Sequence, residues 1–149
     1  MAAAPTPYAH IACAVDDSPA ARRALDEAVR LRALGPGRLS VVHVMEAIPM
    51  AALMGEGAAF YADDPVIEQR TRDWLDGVAK EVRGEPVFLT GYPPAAVAEW
   101  ARAAEVDLLV AAAHRGRVER LLLGSFASFL AHHAPCAVLL VRPVAEAAG

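Results

Sequence analysis

Short apolar runs alternate with longer amphipathic stretches along nearly the whole chain. His10 to Val15 is mostly apolar and short enough for a buried strand. Ser18-Pro19 then predicts a helix start, because Ser caps free N–H groups and Pro fits the first turn, where its missing N–H costs nothing. Ala21, Ala24, Leu25, Ala28, Val29 and Leu31 form its apolar face, and Gly35-Pro36-Gly37 ends it. Leu39 to Val44 is the second strand, β-branched and apolar as expected of a strand covered on both faces. Glu46 to Ala62 has no clear period and predicts a long loop. Asp64-Pro65 caps a second helix, with Ile67, Thr71, Trp74, Val78 and Val82 along one face.

Pro86 to Thr90 is the third strand. Gly91-Tyr92-Pro93-Pro94 turns into a helix carrying Val97, Trp100, Ala101 and Ala104. Asp107 to Ala111 is the fourth strand, followed by a charged loop from His114 to Arg120. Gly124-Ser125 begins the last helix, with Phe126, Phe129 and Leu130 on its face. Cys136 to Val141 is the fifth strand, and Val144 to Gly149 reads as a frayed tail. Strands alternating with helices predict an α/β fold, an open parallel sheet with helices on both faces and right-handed crossovers. No repeat or linker interrupts the pattern, so residues 1–149 read as one domain with a core from 10 to 142.

Composition sharpens this reading. Of the 149 residues 56% are apolar, enough for a real core, and much of the excess is Ala. The net charge of −4, with the charges interspersed, excludes the basic footprint of a nucleic-acid binder. No apolar run reaches the ~18 residues that span a bilayer, and Met1 to Tyr8 lacks the pattern of a secretory signal. A cytoplasmic protein is expected. Cys13 and Cys136 both lie in apolar runs and are expected to be buried, reduced thiols.

In open parallel sheets, ligands sit outside the carboxyl ends of the strands where the winding reverses. Three segments stand at such ends: Ala14-Val15-Asp16-Asp17-Ser18, His43-Val44, and Ala111 to Ser125. Periodicity alone leaves open which strands flank the reversal. The segment Val15-Asp16-Asp17-Ser18 before an Ala-rich helix resembles the opening of universal stress proteins. So do Val41-Val42-His43-Val44 and Arg120-Leu121-Leu122-Leu123-Gly124-Ser125-Phe126-Ala127. The ending from His133-Ala134-Pro135-Cys136 to Val141-Arg142 is similar too, so the resemblance runs from His10 to Arg142.

That resemblance implies a five-stranded sheet in the order 3-2-1-4-5, in a Rossmann-like, three-layer α/β/α arrangement of the adenine-nucleotide alpha-hydrolase-like type. The cleft then lies between Asp16 and the Ala111–Ser125 segment. It also implies a homodimer through Cys136–Val141, and ATP, bound with Mg²⁺, as the ligand. Members that bind ATP carry Gly-x-x-Gly-x9-Gly-Ser/Thr after the fourth strand. Glycines let backbone approach phosphates, and a Gly-Ser helix start aims N–H groups and the positive dipole end at them.

This chain departs from that pattern. Counting back from Gly124 puts His114 at the second Gly and Ala111 at the first. A shifted reading takes Ala113-His114-Arg115-Gly116 as the glycine turn but leaves seven residues before Gly124. Ala forced to positive φ loses roughly 1–2 kcal/mol, and each ~1.4 kcal/mol weakens binding about tenfold. Against this, His114, Arg115, Arg117 and Arg120 bring positive charge to the expected phosphate position, where Arg forks can pair with phosphate oxygens. The candidate ligand residues are Ala14, Val15, Asp16, Val44, Ala111, His114, Arg115, Gly116, Gly124, Ser125 and Phe126.

Plainer readings stand beside these. Asp16 suits a turn before a helix, and His43 in an apolar strand suits a satisfied core or rim histidine. His114 with its arginines suits a solvated basic loop, and His132-His133 suits a helix C-terminus. Ser125 lacks a nucleophile-elbow pattern, and no His/Cys cluster has zinc spacing. The expectation is a nucleotide-binding regulatory protein with at most slow ATP hydrolysis. The alternative is a member that binds no nucleotide and acts through protein contacts.

Overall fold

A computed structural model describes residues 7–46, 64–114 and 123–143 of the chain. Five strands and four helices alternate among them. They are β1 (His10–Ala14), α1 (Pro19–Arg32), β2 (Arg38–Glu46), α2 (Pro65–Glu81), β3 (Glu85–Gly91), α3 (Pro93–Ala103), β4 (Leu108–Ala112), α4 (Ser125–His133) and β5 (Ala137–Val141). All strands pair in parallel in the order β3-β2-β1-β4-β5. The winding therefore reverses between β1 and β4.

Alternation along each strand sorts the core into two layers. Ile11, Cys13 and Val15, Leu39 and Val41, Leu108 and Val110 face α1 and α2, meeting Leu25, Ala28 and Leu75. Ala12, Val42, Leu109 and Ala111 face α3 and α4, meeting Val97, Ala101 and Leu130. Helix starts follow their caps. Ser18 Oγ accepts from Ala21 N–H at 3.1 Å, and Asp64 Oδ1 accepts from Val66 N–H at 2.9 Å. At the amino end of the sheet, the Asp107 carboxylate accepts from the N–H groups of Ala9 and His10 at 2.8 and 2.9 Å. Buried His10 and Ser40 share a hydrogen bond of 2.8 Å beside them.

The structure differs from the sequence expectation in particular places. β2 runs two residues beyond Val44, because Met45 and Glu46 still pair with Thr90 and Gly91 of β3. On α2 the buried residues are Leu75 and Ala79, flanked by half-buried Trp74, Val78 and Val82, while Ile67 in the first turn is exposed. Cys13 is sealed in the core, but Cys136 is only half-buried, because it precedes the edge strand. The rest of the expected long loop, the loop residues Arg115 to Arg120 and the tail from Val144 lie outside the described residues.

Candidate functional site

A cavity of about 300 Å³ opens at the carboxyl ends of β1, β2 and β4. Its origin lies in side-chain size. The α3/α4 face of the sheet carries Leu109 and Val42 deeper in, then shrinks to Ala14, Ala111 and Ala113 toward the strand ends. Helices cannot close on alanines as they close on leucines, so space remains. Ala127 on α4 and Val97 on α3 bound the far side.

The turn leaving β1 forms one wall. Ser18 N–H donates to Asp16 Oδ1 at 2.9 Å, an Asx turn that feeds directly into the Ser18 cap of α1. Asp16 therefore holds the turn, as its plainer reading requires, and it also lines the cavity, half-buried. The Ala113-His114 segment and the start of α4 form the opposite wall. Ala113 N–H donates to Val141 O at 2.9 Å, and Gly124 N–H donates to Ala113 O at 3.0 Å. Gly124 is the N-cap of α4, with φ −61° and ψ 159°, and no side chain caps the helix. The N–H groups of Ser125, Phe126 and Ala127 thus have no helical partner.

The structure brings Ala14, Val15, Asp16, Val44, Ala111, His114, Gly124, Ser125 and Phe126 to this one cavity. Arg115 and Gly116 lie outside the described residues, as do Arg117 and Arg120. The solvated-loop reading of His114 is corrected: the residue is 7% exposed. Its ring has no hydrogen-bond partner among the described residues, and neither nitrogen is sealed from solvent.

Sequence reasoning passed over two residues of the rim. Glu46 follows Val42 and Val44 at period two, so it shares their cavity-facing side of β2. That alternation was the available signal, hidden because Glu46 is charged and opens a stretch without a clear period. Tyr92, 61% exposed at the carboxyl end of β3, also borders the cavity and meets Phe129 edge-on, with ring centroids 6.3 Å apart. Four titratable side chains among the described residues line the space: Asp16, Glu46, Tyr92 and His114. The carboxylates come from the β1 and β2 ends, the imidazole and the open helix start from the β4 side.

His43 lies on the other face. Its Nδ1 donates to Val15 O at 2.8 Å and its ring meets Trp74 edge-on at 5.2 Å, which accounts for it as a satisfied rim histidine. No group of three or more His, Cys, Asp or Glu that could hold a metal occurs among the described residues. Nor is any described helix long and apolar enough to cross a membrane.

Comparison with known proteins agrees with this architecture. A model described as the universal stress protein family matches residues 7–142. Universal stress protein A homolog 1 of Coxiella burnetii is 32% identical over 142 residues, covering 90% of this chain and 96% of the relative. The solved universal stress protein UspA from Lactobacillus plantarum superposes with a TM-score of 0.65 at 24% identity, covering 91% of this chain and 98% of that one. A universal stress protein in complex with cAMP superposes with a TM-score of 0.62 at 21% identity, covering 90% and 97%.

Proposed function

The chain belongs to the universal stress protein family, and from that premise we propose that it binds an adenine nucleotide, ATP with Mg²⁺ foremost, in the cavity between the β1 turn and the start of α4. The observation that carries this reading is that Asp16 and Gly124-Ser125, far apart in sequence, border the same cavity. Nucleoside hydroxyls and the base amino group suit the carboxylates on one side, and an anionic phosphate suits the uncapped N–H groups on the other. The volume lies at the small end for ligand sites, enough for a nucleoside and its first phosphate. The cAMP complex of a relative is consistent with this ligand class.

The protein holds its ligand rather than turning it over. Ser40 and His10 make a hydroxyl–imidazole pair, but it is buried at the opposite end of the sheet. Two unpaired cysteines fit a reducing, cytoplasmic setting. Titration calorimetry with ATP and Mg²⁺ tests the reading, together with mass spectrometry of the freshly purified protein. Heat of binding or retained nucleotide is expected; no heat and no thermal shift at millimolar ligand would remove the reading.

A second reading has its own observation. No Lys or Arg among the described residues lines the cavity, and two carboxylates do. A member that binds no nucleotide would then act through protein contacts. In either case β5, an edge strand with half-buried Val138 to Val141, offers an apolar edge for pairing with a second copy. Light scattering at micromolar concentration should give a dimer, and a monomer would rule out that assembly.

A further inference from the structure

Three side chains with polar groups are buried among the described residues: His10, Ser40 and His114. The first two satisfy each other across 2.8 Å. His114 is the exception: the residue is more than nine-tenths buried and part of the cavity wall, its ring has no hydrogen-bond partner among the described residues, and its nitrogens stay open to solvent. An imidazole fixed in a cavity wall with its nitrogens open can bond to what enters the cavity. Next to it stands the uncapped start of α4, where Ser125, Phe126 and Ala127 present N–H groups that the helix does not use. The segments are in direct contact: a Cβ on Gly124 would sit 3.8 Å from the His114 Cα. Two independent sets of donors therefore converge on one end of the cavity.

We infer that His114 is the anion ligand of this site: its imidazole and the α4 N–H groups together hold the phosphate of the bound nucleotide, and affinity rises as the solution becomes more acidic. This rests on the nucleotide reading of the cavity and adds to it a proton-linked ligand. The sign follows from charge. An imidazolium attracts an anion and forms a charge-assisted hydrogen bond, whereas the neutral ring offers one neutral bond. The groups facing His114 across the cavity are Asp16 from the β1 turn, Glu46 from β2 and Tyr92 before α3. No described cation lines the space to compete for the phosphate. The carboxylates also direct the anionic end of the ligand away from themselves, toward the β4 side.

The test uses the full chain and two probes. Cyclic AMP carries a phosphodiester whose charge is constant over the window where histidines titrate, and adenosine lacks the phosphate. Calorimetry from pH 5.5 to 8.5 should show cyclic AMP binding weaken about tenfold as pH rises, while adenosine stays within about twofold. His114→Ala should weaken cyclic AMP about ten- to hundredfold at pH 5.5 and leave adenosine within about twofold. His114→Gln keeps a donor without a proton to titrate, so it should bind with no pH slope. Thermal melts check that each variant folds, and the glutamine variant carries the test should the alanine one not fold. Cyclic AMP binding without a slope in the parent, or with the same slope in His114→Gln, overturns the inference while the nucleotide reading stands. Failure of the parent to bind either probe at millimolar concentration overturns both.

Discussion

The two faces of the sheet are built from the same strands and end differently. Toward α1 and α2, each strand sends Ile11, Cys13, Val15, Leu39, Val41 and Val110 into a layer that closes on Leu25 and Leu75. Toward α3 and α4, the same strands pack Val42 and Leu109 deeper in but end on Ala14, Val44, Ala111 and Ala113, where the layer opens into a cavity. One residue of offset in a period of two thus decides whether a position fills or hollows. The filled face supplies stability, and the hollow face leaves the cavity proposed as the binding site.

The contrast can be broken most severely on the filled side. Leu75→Ala removes a fully buried side chain and should cost about 2–5 kcal/mol in urea unfolding, with the cavity across the sheet unchanged in ligand affinity. An equal loss of affinity would mean that the faces are not independent. Next comes pH. Burial raises the Cys13 thiol well above its ordinary value of 9.0, with Asp26 adding to it. Above that value the unfolded thiol releases its proton while the folded one keeps it. The native state then holds more protons, so stability falls with rising pH, by up to about 1.4 kcal/mol per pH unit. Chemical denaturation at pH 8 and pH 10, in the parent and in Cys13→Ala, reads this, and the variant should show the smaller drop.

On the hollow side, effects on stability should be small and effects on binding large. Ala111→Leu grows into free volume, so it should cost no more than about 1 kcal/mol, below the usual range for overpacking, while excluding ligand. A loss as large as that of Leu75→Ala would show the space to be filled in solution. Smallest in stability is Gly124→Asp. A Cβ there meets Ala113 O at 3.5 Å, ordinary contact, and the backbone is already that of an N-cap. Asp caps helices slightly better than Gly, so melting should hold or rise by a few tenths of a kcal/mol, while a carboxylate at the proposed phosphate position should abolish the proposed nucleotide binding.

Much of this architecture was legible before any coordinates. All five strands and four helices among the described residues stand where apolar runs and Ser-Pro, Asp-Pro, Pro-Pro and Gly-Ser starts put them. The resemblance supplied the strand order, which periodicity could not, because period two says which face a residue takes and nothing about which strand lies beside it. Elsewhere the signal failed for physical reasons. Glu46 reads as loop because strands are recognised by apolar runs, and this strand ends beside a cavity where a polar residue is tolerated. Ile67 reads as core because its spacing is right, yet burial on α2 begins only around Trp74. His114 reads as solvated because charged neighbours dominate its segment, whereas its own position is set by the Ala113 backbone bonds on either side.

Those bonds have an outcome for how such a chain can change over generations. Ala113 is tied to Val141 on one side and to Gly124 on the other, so the exit from β4 and the approach to α4 are riveted together at their base. The cavity wall on this side is thus held from backbone to backbone, with no side chain needed for either bond. Side chains around these two bonds are therefore free to be exchanged, altering what the cavity touches, while the wall itself keeps its place.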